Sequence, residues 1–206
     1  MQFQDTSRPL SATLREVVQN IRGETITLRR LMEAIGEQGL LLLCAVLSLP
    51  FLIPVSIPGV STVFGLGIIL LGAAVTLNRL PWLPQRILDR QIETERLRPT
   101  LEKGVGLVEK VDRYVKPRLG ALTDNAVMDR INGLMLVFCG LLLMAPFGFV
   151  PFSNTLPAVA ILLLCFGMIQ RDGLFVLLGY VMAAATCIYF GALFYGAWRA
   201  GGAILG

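Results

Sequence analysis

Hydrophobic positions along this chain fall into three long uncharged runs, separated by polar and basic stretches. Residues 39–77 carry no charged side chain over 39 positions, residues 131–170 carry none over 40, and a third run extends from 173 to 198. At roughly 20 residues per crossing, each of the first two holds either two crossings or a hairpin that enters lipid and returns. The third holds one helix, long enough to cross with some tilt.

Both double-length runs are interrupted in the same manner. The first carries Pro50-Phe51, then Pro54, Ser56 and Pro58-Gly59; the second carries Pro146-Phe147, then Pro151, Ser153-Asn154-Thr155 and Pro157. Proline removes a backbone donor and clashes with the preceding turn, so an unbroken helix cannot run through either stretch. The pattern predicts an all-α integral membrane protein built on two Pro-broken helical hairpins, related as an internal repeat. Amphipathic interfacial helices and a C-terminal transmembrane helix complete it. Proline is tolerated at the first helical position, so Pro58 and Pro157 are expected to open the second half of each hairpin. Ser153, Asn154 and Thr155 then serve as caps ahead of Pro157, and Gly59, Ser61 and Thr62 follow Pro58.

The polar stretches carry helical patterns of their own. Leu14, Val17, Val18 and Ile21 are spaced i, i+3, i+4, i+7, and Leu28, Leu31, Met32 and Ile35 repeat that spacing. These predict basic amphipathic helices, lying either in the lipid interface or as a soluble pair on the membrane domain. Farther on, Leu101, Val105, Val108 and Val115 form a stripe among Lys103, Lys110, Arg113, Lys116 and Arg118, which predicts linker helices drawn to anionic headgroups. An exit turn with Arg79 and Trp82 as interfacial anchors precedes them. Five segments result: 1–38, 39–78, 79–130, 131–172 and 173–206.

Charge sets the expected orientation. Lys plus Arg number 5 in residues 1–38, 11 in residues 79–130, and 2 beyond, at Arg171 and Arg199. By the positive-inside rule both basic segments are cytoplasmic, giving a multi-pass membrane protein with a cytoplasmic N-terminus and an outside C-terminus. Both hairpins then enter from the same side, whereas internally repeated transporters often pair repeats of opposite orientation. Gly179 and Ala183 offer a close-packing face of the small-xxx-small type on the last helix. A chain of 206 residues is short for enclosing a roomy pathway alone, so a homo-oligomer, with a dimer as its simplest form, is expected.

Composition agrees and removes several function classes. The chain is 55% hydrophobic and 16% charged, with a mean hydropathy of +0.70. Histidine is absent, which takes away the usual neutral-pH proton relay and the commonest transition-metal ligand. Cys44, Cys139, Cys165 and Cys187 lie singly in apolar runs, as packing residues do. The polar, charged start lacks the pattern of a secretory leader. No metal-spaced cluster, phosphate-cradling loop or paired acidic motif is found, so no enzyme activity, cofactor or metal is expected. Nucleic acid is not an expected partner either, since the basic linker is interleaved with Glu93, Glu95, Glu102 and Glu109 beside membrane segments.

Several ordered motifs carry a family resemblance. Gly36-Glu37-Gln38-Gly39, the run from Leu49-Pro50 to Ile57-Pro58-Gly59-Val60-Ser61-Thr62, Pro81-Trp82-Leu83-Pro84, Pro151-Phe152-Ser153-Asn154-Thr155-Leu156-Pro157 and Arg171-Asp172-Gly173 together resemble the ExoD family of bacterial exopolysaccharide-synthesis membrane proteins. The resemblance covers about Leu28 to about Tyr180. It implies an inner-membrane protein needed for normal exopolysaccharide production, and it supplies no catalytic or transport residues.

Candidate chemistry therefore comes from the breaks. Two helix N-termini at membrane depth present free amides and positive partial charge, and non-helical backbone survives there only in protein or beside a wet cavity. Pro54, Ser56, Pro58, Gly59, Ser61, Thr62, Pro151, Ser153, Asn154, Thr155 and Pro157 are the expected lining. They would form a site for an anionic group, with Arg79 and Arg171 at its cytoplasmic edge. In the family context the ligand is a phosphate-bearing membrane lipid or lipid-linked sugar. Glu37 and Asp172 are the candidates for coupling, and headgroup anchoring is the plainer reading of Arg79 and Arg171. Two functions follow: a small transporter or flippase-like protein, or a non-transporting scaffold or regulatory subunit of polysaccharide assembly.

Overall fold

The computed structural model describes residues 25–52, 59–78, 89, 91–93, 119–145 and 150–205. The expected helices over 14–21 and 101–115, the exit-turn residues 79–84 with Arg79, and the break residues Pro54, Ser56 and Pro58 lie outside the described residues.

The described chain is helical apart from one small ladder. Strand β1 (Thr25–Thr27) pairs antiparallel with β2 (Gln91–Glu93), aligning Ile26 with Ile92. This ladder ties the start of the first helix to the basic linker, a connection that hydropathy does not foretell. The helices are α1 (Leu28–Ser48), α2 (Val60–Thr76), α3 (Ala126–Leu143), α4 (Thr155–Ile169) and α5 (Gly173–Leu205). Helix α1 tightens into a 3₁₀ turn at Leu49–Leu52, where Pro50 ends its regular hydrogen bonding. Helix α3 begins at Ala126, inside the segment read as linker, because Asn125 caps it by accepting the Val127 amide at 3.1 Å.

Contacts give the direction of each helix. Leu47 lies against Gly67 and Phe51 meets Phe64 edge-on at 5.8 Å, so α1 and α2 are antiparallel. Gly65 faces Gly140, and Gly133 faces Thr76, so α2 and α3 are antiparallel as well. The free thiols of Cys165 on α4 and Cys44 on α1 are in hydrogen-bonding contact, and Gly179 of α5 packs on Leu164 of α4. The order is up, down, up, down, up. The two helix pairs α1/α2 and α3/α4 therefore start from the same end of the bundle, and the C-terminal ends of α1 and α3 share the other with the starts of α2 and α4.

Helix α4 is the axis of the core: Ala158, Ala160, Ile161, Leu164 and Cys165 are fully buried against α1, α3 and α5. Small residues bring the neighbours close. A β-carbon on Gly167 would stand 2.6 Å from the Val176 amide nitrogen, and one on Gly179 would stand 2.7 Å from Leu164 Cγ. The expected small face of Gly179 and Ala183 is thus turned inward onto α4, and Ala183 is buried.

Outward faces are as apolar as the core. Val127, Ile131, Leu134, Phe138 and Leu141 form an exposed stripe on α3, and Leu174, Leu177, Leu178 and Val181 form one on α5. Buried polar side chains lie inside: Ser48 Oγ donates to Ala45 O at 2.7 Å and Thr186 Oγ1 to Met182 O at 2.8 Å. Contiguous apolar exposure of this extent marks a surface that is not left to water. Two helices, Ala126–Leu143 and Gly173–Arg199, are long and apolar enough to cross a membrane. The apolar helices Gly36–Leu52, Val60–Thr76 and Thr155–Ile169 are shorter.

Candidate functional site

The sequence-derived candidates divide between the two ends of the bundle. At the end of the chain breaks, α2 starts at Val60 with Gly59 as its cap, in the left-handed region at φ 86°. The helix thus opens after the Pro58-Gly59 pair rather than at the proline. Ser61 is half-buried in its first turn and Thr62 is exposed.

The second break is better packed. Phe152 is left-handed at φ 63°, and Tyr189 Oη donates to Pro151 O at 2.8 Å, tying the turn to α5. Ser153 and Asn154 are only 1% and 7% exposed. Helix α4 begins at Thr155, so Pro157 is its third residue rather than its first. The missing amide still falls among the orphan donors of the opening turn and breaks no helical bond. Asn154 holds the cap position, but its side chain makes no capping bond. The expected capping role of Asn154 is therefore corrected: its carbonyl, not its side chain, receives the Ala158 amide, at 3.1 Å.

Arg171 does not join this end. It follows the last turn of α4, a 15-residue helix, and so stands roughly 22 Å along the axis from Ser153 at 1.5 Å per residue. The expectation that Arg171 edges the same site as Ser153 and Asn154 is thereby corrected. Arg171 meets a different set of groups. Its backbone is left-handed at φ 52°, with its carbonyl accepting from Thr123 Oγ1 at 3.3 Å, and it interacts electrostatically with Glu37 on α1 and Asp129 on α3.

Glu37 sits just ahead of the apolar run of α1. Burial pushes its carboxyl up to about 7, nearby Asp129 adds to the rise, and Arg171 opposes it. Asp172 has another task. Its Oδ1 accepts the Leu174 amide at 2.9 Å, which caps α5 and places a carboxylate at the positive end of that helix. The role the contacts give Asp172 is that of a helix cap.

Beside this end lies a polar pair that hydropathy passed over. Asn132 is 0% exposed; its Nδ2 donates to Leu122 O at 3.0 Å and its Oδ1 accepts from Tyr180 Oη at 2.8 Å. The signal was present, since an amide opening an apolar run must find partners inside protein. Asp129 escaped notice because it was counted with the linker.

The match to known proteins covers nearly the whole chain. A family model described as "Exopolysaccharide synthesis, ExoD" matches residues 10–192. The chain belongs to the ExoD family. It is 63% identical over 201 residues to Protein ExoD of Rhizobium meliloti (strain 1021), covering 98% of this chain and 84% of that protein. It is 26% identical over 178 residues to an uncharacterized protein of Synechocystis sp., covering 82% of each. No solved structure matches. Within the ExoD family, a family of exopolysaccharide synthesis, these residues sit on a helical fold with two helices able to cross a membrane.

Proposed function

We propose that this ExoD protein is a multi-pass inner-membrane protein that moves an anionic, phosphate-bearing lipid or lipid-linked precursor of exopolysaccharide. The observation that carries the reading is the shared end of the two Pro-rich breaks, where α4 begins at Thr155 with Ser153 and Asn154 buried and where α2 begins beside Ser61. Paired broken helices are the best sequence pointer to a transporter's binding site, and helix N-termini favour anionic groups. The common direction of the two helix pairs fits repeats related by an axis along the bundle. With the linker charges it supports a cytoplasmic N-terminus and a cytoplasmic location for Glu37 and Arg171. The breaks then lie toward the outer leaflet. A chain of 206 residues fits a homodimeric assembly, with the substrate path shared between copies. No enzymatic step is assigned, and neither a cofactor nor nucleic acid has a place in this reading.

The test reconstitutes the full chain in vesicles and follows transbilayer movement of a fluorescent polyprenyl phosphate. Ser61→Leu and Asn154→Leu are expected to abolish movement while the protein stays inserted and monodisperse, and charge reversals at Lys103 and Lys110 leave it intact. Movement unaffected by either break variant sinks the transport reading. Losses of polysaccharide that map instead to the linker variants would support the scaffold.

A further inference from the structure

Helix α1 is broken at one residue: Gly36 stands at φ 63°, ψ −151°, a region open essentially to glycine alone. The segment before it follows directly on strand β1 of the ladder, and the segment after it enters the core at Leu40, Leu41 and Cys44. Glu37 is the first residue past the break. Charge from three helices meets at this end of the bundle: Glu37 beside the break in α1, Asp129 in the first turn of α3, and Arg171 after α4, whose carbonyl is held at 3.3 Å by Thr123 Oγ1 just ahead of α3. Among the described residues, with both carboxyls ionised, Glu37 and Asp129 set two negative charges around the Arg171 guanidinium in a partly desolvated place, where unbalanced charge is expensive. One added proton leaves a balanced pair.

We propose that Glu37 is the proton-binding group of a pH-sensitive hinge at Gly36, which changes the angle between the ladder-bound and core-bound halves of α1. The device does not depend on what, if anything, the protein transports. Among the described residues, the groups acting on it are Asp129 of α3 and Arg171 after α4, with Asp124, just before α3, acting on Asp129. Asp172 is turned to the start of α5, Arg130 is exposed, and the last turn of α2, ending at Thr76, brings no charge. Burial and Asp129 hold the Glu37 carboxyl near 7, so the proton exchanges inside the physiological range.

The experiment uses the full chain in lipid nanodiscs. Infrared difference spectra follow the protonated carboxyl band from pH 5 to 9, and mass spectrometry follows amide exchange of residues 28–48 over the same range. A band titrating near neutrality and a parallel change in exchange are expected, with Glu37→Gln removing both. Asp129→Asn shifts the midpoint down, by removing a repelling charge, and Arg171→Gln shifts it up. These opposite shifts carry the test even if Glu37→Gln fails to insert. A neutral-range band that survives Glu37→Gln, midpoints unmoved by the other two variants, or exchange independent of pH would each overturn the proposal.

Discussion

Gly133 decides how closely α2 and α3 approach, and replacing it with alanine measures that closeness. A β-carbon there would stand 2.5 Å from Thr76 Oγ1, 2.9 Å from the Thr76 amide nitrogen and 3.0 Å from its Cα. The hydroxyl is not free to swing aside, since it donates to Gly72 O at 2.8 Å, and the other two atoms are backbone. The helices must separate by roughly 0.5–1 Å, a gap that forfeits a quarter to a half of the dispersion attraction across the seam. Overpacking of this kind costs about 1–3 kcal/mol. Alanine also returns about 1 kcal/mol of helix propensity, which would mask part of the loss. Gly191→Ala removes that ambiguity, because nothing lies within 4 Å of its added carbon and it collects the propensity gain alone. The expected difference between the two variants is about 1–3 kcal/mol, or roughly 2–12 °C in melting midpoint for a chain of this size, read by thermal unfolding in mild detergent. Equal midpoints for Gly133→Ala and Gly191→Ala would refute the close α2/α3 crossing.

The hydrogen bond between Tyr180 and Asn132 should give a coupling of about 0.6–1.7 kcal/mol in a Tyr180→Phe, Asn132→Leu double-mutant cycle, the range measured for polar contacts between membrane helices; additive losses would argue against it. Asp172→Ala should cost about 0.5–2 kcal/mol as a lost cap and leave the neutral-range titration in place, whereas loss of that titration would return Asp172 to a coupling role. Stability should also depend on pH through Glu37. Its folded carboxyl, at about 7, lies above the ordinary value of 4.5, so the folded state holds the proton more tightly. Stability then falls as pH rises from about 4.5 through about 7 and levels off above. Denaturation at pH 5, 6, 7 and 8 checks this, and Glu37→Gln should flatten that window; a wild-type profile that rises through it contradicts the burial of Glu37.

The breaks were legible because proline acts locally: Pro50 stops α1, and the sequence around Pro157 starts α4, whatever surrounds them. Their exact starts were not legible. Gly59 moved one helix start past Pro58 by taking a left-handed cap, and Thr155 opened the other two residues before Pro157, which any first-turn position tolerates. Of the candidate residues, Ser153 and Asn154 lie buried at the second break, whereas Arg171 lies at the opposite end of α4. Spacing along a chain does not say which end of a 15-residue helix a flanking charge will serve.

By itself, the sequence determined the ExoD family, the helical and lipid-compatible character, and the places where helices must stop. Hydropathy and proline geometry depend on neighbours a few residues away, so they survive without a fold. Tertiary structure alone decided that both helix pairs run in the same direction and that Gly179 packs inward. It also gave Asp172 to a helix cap and brought Glu37, Asp129 and Arg171 into electrostatic contact at one end of the bundle. Those outcomes depend on contacts between residues up to about 130 positions apart, and a carboxyl's affinity for a proton is set by the charges and burial that such contacts bring.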